Sequence, residues 1–414
     1  MTPAATALRA HRTLSPAGTA EARERWARRR ACLAWGLLVL NVLTFYHLTW
    51  SGMPLILPIP SILGKAITQG SLPGAFLLAL SVNRRQIIRP NIFLCLVSLL
   101  VVEALITSLQ AEHFGTIYRT FRLAGFLATL WMLTPWWGRR DLLLARTHLR
   151  VMSIVLGSVL AGLLISPGSA MGGGRLAGAL WPTPPPQVAQ FAAVTLGLVV
   201  VLWLSGLVRG RITLLAVAGA GFILLMTHTR TALIAMAAGI LVAGLSLFTA
   251  NARVRKAFAI GGVVVSIGAI TLSAVVTTWL ARGQGTQQLT ELTGRTNVWS
   301  DVLSTPRNWF QVLFGFGLSN KAFNGLPIDS NWLSTYYDLG LIGVLVCATM
   351  LIFLLVAAYF SPRGAPRALA LFLVTYCLVA SFTETGFGDA STYLLELTLA
   401  ASLIVPSAAN KGGL

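Results

Sequence analysis

The stretch THTRTALIAMAAGILVAGLSLF (227–248) sets an arginine, with His228 two residues before it, at the head of an apolar run. From Thr231 to Phe248 the run holds no charged residue. Such a length is close to the roughly 20 residues needed to cross the hydrocarbon core of a bilayer. A guanidinium keeps its charge at any relevant pH. Its place at the mouth of a span therefore asks which side of the membrane it faces and what it meets there.

Runs of this kind recur along the chain. Of 414 residues, 56% are hydrophobic and only 10% are charged, against roughly a quarter charged in soluble domains. Twelve segments read as spans: 31–50, 54–80, 92–109, 121–137, 151–166, 188–207, 212–227, 231–249, 257–279, 338–360, 368–386 and 390–406. The second is broken by Pro54, Pro58, Pro60 and Pro73, and the fifth is short. The expectation is an all-α integral membrane protein of about 12 transmembrane helices (residues 31–406), with a basic tail at 1–30 and a short tail at 407–414. Residues 1–30 carry seven arginines and no small-residue cleavage pattern follows, so the first run reads as an uncleaved span.

The net charge of +19 then becomes a topology signal. With the arginine-rich N-terminus in the cytoplasm, the inner connections hold 22 of the 31 Lys and Arg residues, as the positive-inside rule requires. Both termini fall on the cytoplasmic side. The basic residues are scattered between apolar runs, which argues against a nucleic-acid partner. Cys32, Cys95, Cys347 and Cys377 all lie in apolar segments without metal-ligand or disulfide spacing. There is no convincing internal repeat, which weighs against a transporter built from inverted halves.

Three outer elements stand out: a Gly/Pro loop at 167–187, the tight turn at Arg230, and a long loop at 280–337. Long loops in compact domains are functional or disordered. This one contains Trp299, Trp309, Phe310, Phe314, Phe316 and Trp332, too aromatic for disorder. Within it RTNVWSDVLS (295–304) reads as a short amphipathic helix, with Val298, Trp299, Val302 and Leu303 on one face.

The outer cations are Arg119, Arg122, Arg175, Arg230, Arg282, Arg295 and Arg307, with Lys321. Arginine suits a bidentate grip on phosphate or carboxylate. Lipid headgroups are the bland partner for Arg119 and Arg122, which flank a span. Arg230 and Arg295 each begin a helical run, where backbone N–H groups and the helix dipole also favour an anion. Trp136 and Trp137 read as interfacial anchors. Glu112 and His113 are a weak catalytic pair in an outer loop. Glu103 and Glu396 lie inside spans, either functional or paired to a neighbouring helix. Gly340 and Gly343 fit close helix packing.

The series GGGRLAGALWPTPPP (172–186), THTRTALIA (227–235), LTGRTNVWSDVL (292–303), LFGFGLSN (313–320) and DSNWLSTYYDLGLIGV (329–344) resembles, in order and in topology, the O-antigen ligase and polymerase superfamily. The matching segments cover roughly residues 170–345. The resemblance implies a GT-C-like glycosyltransferase in a bacterial cytoplasmic membrane, working on the extracytoplasmic face with inversion. It would move a glycan from a polyprenyl-diphosphate carrier to a saccharide hydroxyl, with no cofactor or metal. Its further partners would be membrane lipid and polysaccharide-assembly proteins. It also implies that Arg230 and Arg295, with Arg175, hold the donor diphosphate.

Two departures matter. Ligases of that family carry a His directly before the Asn at the position matching Ser330–Asn331, and here it is Ser330. A serine is no general base unaided at neutral pH. Asp329 is the adjacent candidate, although a turn residue after Pro327 is an equal reading. His228, Glu384, Ser330 and Asn331 are acceptor-side candidates. WPTPPP also stands where family members often have Pro-Asn. The missing His favours a polymerase of polysaccharide over a ligase. A carrier or flippase for an anionic lipid-linked glycan is the rival from another class; it would line a path through the membrane with charge. A structural partner in a polysaccharide complex would leave the arginines dispensable.

Overall fold

Each of the twelve apolar segments carries a helix. Lipid offers backbone N–H and C=O groups no partner, so a spanning segment satisfies them within itself. The structure, a computed structural model, describes residues 16–45, 48–111, 113–249, 251–271 and 295–406. In chain order the helices are α1 (Pro16–Val42), α2 (Ser61–Val82), α3 (Ile92–Ala111), α4 (Phe114–Leu133), α5 (Leu143–Ile165), the single turn α6 (Pro167–Ala170), α7 (Pro185–Leu204), α8 (Gly210–Met226), α9 (Arg230–Phe248) and α10 (Ala252–Thr271). After residues 272–294 come α11 (Arg295–Ser304), α12 (Trp309–Phe314), α13 (Asn331–Phe360), α14 (Ala365–Ala380) and α15 (Thr392–Ile404). Two small antiparallel hairpins interrupt them, β1 (Met171–Gly172) with β2 (Arg175–Leu176) and β3 (Ala322–Phe323) with β4 (Leu326–Pro327).

Among the described residues, five helices are long and apolar enough to cross a membrane: Ile92–Gln110 of α3, α5, α7, α9 and α13. Three more, α8, α14 and α15, are apolar but shorter. The protein is thus mainly helical, with several helices able to span a bilayer.

The boundaries differ from expectation in instructive ways. Helix α1 starts at Pro16, inside the basic tail, and ends at Val42 rather than at residue 50. The fifth segment is not short: α5 runs for 23 residues and takes in Arg146 and Arg150. Helix α13 starts at Asn331, so the end of the expected 280–337 loop is helical. Trp136 and Trp137 are buried in protein, at 8% and 2% exposure, and are not anchors facing an interface. They follow α4 in a 3-10 turn, Thr134–Trp136, that turns the rings inward.

The core lies where α7, α9, α14 and α15 meet. Phe372 of α14 is fully buried, against Gly197 of α7 and Gly239 of α9. Small residues let helix backbones close to this distance. Glu396 of α15 is not a loose intramembrane charge. Gln190 Nε2 of α7 donates to its Oε1 at 2.9 Å, and Cys377 Sγ of α14 donates to its Oε2 at 3.6 Å. Thr392 Oγ1 donates to Gln190 Oε1 at 2.8 Å. This closed polar network fixes three helices in register.

Residues 295–330 pack on one end of the bundle. The amphipathic reading of α11 holds for Val298 and Val302, which are buried beside Ile328, Phe323, Leu333 and Tyr337. It fails for Leu303, which is exposed. Five residues on from Val298, Leu303 is rotated about 140° off that face.

The 313–317 segment seats on a break in α13. Gly340 has φ 64° and ψ −161° inside the helix, and a Cβ there would lie 2.3 Å from the Leu313 carbonyl. Gly315 faces the Asp338–Leu339 backbone as closely. Phe316 N–H and Gly317 N–H donate to the carbonyls of Tyr337 and Asp338, at 2.9 and 2.8 Å, the latter freed by the break. Buried Asp338 pairs with Lys321 and accepts from Ser319 N–H at 3.3 Å.

Candidate functional site

Arg175 enters the site on the β1–β2 hairpin. Its two-residue loop, Gly173–Gly174, has φ 56° and 71°. That left-handed pair is the type I′ turn, which glycine adopts without strain. The hairpin points Arg175 at the turn between α8 and α9. Its Nε donates to the Thr227 carbonyl at 3.0 Å and its Nη2 to Thr229 Oγ1 at 3.1 Å. Arg175 therefore braces the THT turn, in which His228 takes a left-handed backbone at φ 49°.

Arg230 begins α9 immediately after that turn. Its Nε and Nη2 are buried and have no hydrogen-bond partner among the described residues. A buried donor without a partner costs on the order of 1–3 kcal/mol, more when charged. One residue on, Thr231 Oγ1 meets Thr383 Oγ1 at 2.6 Å. This contact ties the first turn of α9 to the segment 381–389 that links α14 to α15, where Glu384 sits.

Arg295, the first residue of α11, donates through Nε to Asp329 Oδ2 at 3.0 Å. Both side chains are about one-third exposed or less. Burial raises the Asp329 carboxyl above its ordinary value, and Arg295 opposes that rise. Glu384 is pushed up to about 7 by burial, with Asp329 raising it further and Arg295 and Arg175 pulling it down. Arg175 is itself lowered by burial, raised by Glu384 and lowered by Arg295. Arg175, Arg295, Asp329 and Glu384 are thus within electrostatic reach of one another.

Ser330 and Asn331 follow Asp329 but are buried. Asn331 Oδ1 accepts from Gly386 N–H at 3.2 Å and Phe387 N–H at 2.9 Å, and its own N–H donates to the Ser381 carbonyl at 2.9 Å. Through Oδ1, Asn331 holds the Glu384 segment in shape; its Nδ2 is buried with no partner among the described residues. Ser330 precedes α13 without a side-chain cap bond.

Seven of the eight residues singled out in the sequence, Arg175, His228, Arg230, Arg295, Asp329, Asn331 and Glu384, therefore join in one framework, and Ser330 lies within it, between Asp329 and Asn331. Arg282 and Glu112 lie outside the described residues. Arg307 does not join it. Its guanidinium lies 4.1 Å from the Tyr336 ring centre and 5.2 Å from that of Phe316, and donates to the carbonyls of Tyr336 and Val302. Arg122 is likewise spent, donating to Asn41 Oδ1 and its carbonyl. The threonine clamp and the bracing role of Asn331 were missed from sequence; T-H-T-R-T was the visible trace of the first.

Chemically, the site offers three guanidinium groups, one carboxylate held by Arg295, and one carboxyl that titrates near neutrality. Such a set can grip an anion and accept a proton beside it. Among the described residues, no three His, Cys, Asp or Glu side chains converge as a metal-ligand set would require. No known family model matches the chain, and no curated protein matches it.

Proposed function

We propose that the protein is a membrane glycosyltransferase of the O-antigen ligase and polymerase type, moving a glycan from a polyprenyl diphosphate to a saccharide hydroxyl. In this reading all twelve helical segments cross the bacterial cytoplasmic membrane, both termini face the cytoplasm, and residues 295–330 cap the outer side. The single observation that carries it is the grouping of Arg175 and Arg295 with Asp329 and Glu384, beside the turn that opens on Arg230, two of whose guanidinium nitrogens are buried without a partner among the described residues.

The chemistry follows from those groups. Glu384, as carboxylate, takes the proton of the acceptor hydroxyl, because a base titrating near the working pH combines availability with basicity. The hydroxyl oxygen bonds to the anomeric carbon of the donor sugar. The bond from that carbon to the diphosphate breaks, and the polyprenyl diphosphate leaves with the electron pair. Arg230, Arg175 and Arg295 stabilise the charge gathering on it. Asp329 is engaged by Arg295 and serves to aim it.

Ser330 in place of the ligase His favours a polymerase; a ligase to an envelope acceptor is the variant reading. A carrier would keep polar groups along a path through the bilayer, whereas Glu396 is bound up with Gln190 and Cys377.

The test is reconstitution of the full chain in liposomes with a polyprenyl-diphosphate oligosaccharide, followed by mass analysis of products. Transfer by the wild type, reduced at least about 100-fold in Arg230→Ala and Arg295→Ala, is the expected outcome. Full transfer by both variants overturns the proposal. So does cysteine labelling that places positions 230 and 295 on the cytoplasmic surface.

A further inference from the structure

A cleft of about 380 Å³ opens between the α3–α4 connection and the 308–319 segment, at the end of the bundle that carries α11. Its walls include Gln110, His113, Asn308, Gln311, Phe316 and Tyr337, and among the described residues no Asp, Glu, Lys or Arg lines it. The cleft is therefore unlike the arginine site: none of its described walls carries a guanidinium or ammonium group to neutralise a phosphate. Its volume is in the range of small-ligand pockets.

The donors are set up by a helix cap. Asn308 and Gln311 form a capping box at the start of α12. Gln311 N–H donates to Asn308 Oδ1 at 2.8 Å, and Asn308 N–H donates to Gln311 Oε1 at 3.1 Å. The cap uses both amide oxygens and fixes both side chains. It leaves both side-chain NH₂ groups without a partner among the described residues, as donors. Two aromatic rings, Phe316 and Tyr337, lie 5.0 Å apart at the cleft wall. Rigid neutral amides beside aromatic faces match a ligand with many hydroxyls and apolar C–H faces.

The cleft also abuts the arginine site. Tyr337 packs edge-on to Phe323 at 5.8 Å. Both belong to the small core that seats Val298 and Val302 of α11, the helix that presents Arg295. One ring thus lines the cleft and supports the arginine helix.

We infer that this cleft binds uncharged saccharide units, separately from the arginine cluster. That these units belong to the acceptor glycan rests on the proposed transfer activity.

The experiment uses full-length protein in detergent. Its probes are size-fractionated, reducing-end-tagged neutral oligosaccharides, from partial acid hydrolysis of envelope polysaccharide of cells that make the protein. The double variant Asn308→Asp, Gln311→Glu keeps the capping oxygens and removes the NH₂ donors. Gln110→Ala, on α3, removes no side-chain hydrogen bond among the described residues and guards against a folding artefact. The expected result is binding by the wild type that changes less than about two-fold between low and high salt, as an uncharged ligand requires. Each variant should bind at least about ten-fold more weakly, and Arg230→Ala as well as wild type. Absence of binding by the wild type, or undiminished binding by both cleft variants, overturns the inference. Transfer is measured separately. Saccharide binding without any transfer sinks the proposed activity and leaves the cleft assignment standing; transfer with no saccharide bound in the cleft does the reverse.

Discussion

Arg295 and Asp329 are joined by a charge-assisted hydrogen bond, Nε to Oδ2 at 3.0 Å, across 34 residues of chain. One partner opens α11 and the other ends the segment before α13, so the bond fixes the direction of the guanidinium relative to the bundle. Engaging Nε leaves the two Nη groups with no hydrogen-bond partner among the described residues, which in the proposed reading face the donor's diphosphate. Asp329→Asn keeps the shape and loses the charge. The proposed donor should then bind about ten-fold more weakly, with a smaller fall in turnover, because Arg295 is less well aimed. Equal loss of turnover and of donor affinity in steady-state kinetics would instead make Asp329 the proton acceptor.

Glu384 sets the pH dependence. Its carboxyl is pushed up to about 7, and only the deprotonated form accepts a proton. Transfer rate should therefore fall as pH drops below about 7, tenfold per unit. Glu384→Gln should lower turnover by about 100-fold or more and abolish that limb of the profile. Stability runs the other way. The unfolded carboxyl ionises near 4.5 and the folded one near 7, so the unfolded state releases its proton first as pH rises. The folded protein loses stability between those values and levels off above 7. Glu384→Gln should flatten that decline, and its thermal midpoint above pH 7 should exceed that of the wild type.

The bundle was legible because each apolar run must close its own backbone hydrogen bonds in lipid. Length and hydropathy alone therefore locate the helices. Their ends were less so. Helix α1 extends back to Pro16 because arginine and glutamate are good helix formers, a fact hidden by reading charge only as topology. The arginines Arg175, Arg230 and Arg295 were legible as cations set at the ends of, or between, apolar runs. What they touch was not. That Thr231 meets Thr383, 152 residues away, and that Asn331 turns inward to Gly386 and Phe387, are consequences of three-dimensional packing with no local signature. The separation of Arg307 from its neighbours in role was equally hidden, since a spent guanidinium and a waiting one read alike in a sequence.

Gly340 should tolerate no side chain. Its φ of 64° lies in the left-handed region, and a Cβ would stand 2.3 Å from the Leu313 carbonyl and 2.5 Å from Phe314 N. Gly340→Ala adds backbone strain of about 1–3 kcal/mol to a clash that helical packing cannot relieve. It should free the 313–317 segment and, with it, the wall of the neutral cleft. Limited proteolysis should cut the variant near residues 313–317, where the wild type is protected. Resistance equal to that of the wild type would mean that the seat on α13 does not hold this segment.

Arg307 should matter to stability and not to chemistry. Its guanidinium lies 4.1 Å from the Tyr336 ring centre and donates to two carbonyls, Tyr336 at 3.2 Å and Val302 at 3.1 Å. Both interactions are internal, one tying α11 to the first turns of α13. Arg307→Ala removes them together and should cost about 2–3 kcal/mol, read as a lowered thermal midpoint in detergent. Arg307→Lys should rescue little, because an ammonium cannot lie flat on the ring while reaching both carbonyls. Transfer per folded molecule should stay within about two-fold of wild type at low temperature, in contrast to Arg230→Ala, whose Nε and Nη2 have no partner to lose among the described residues. If Arg307→Ala instead keeps its thermal midpoint and loses transfer, Arg307 belongs with the anion-binding arginines and its contacts with Tyr336 and Val302 are a resting arrangement that substrate displaces.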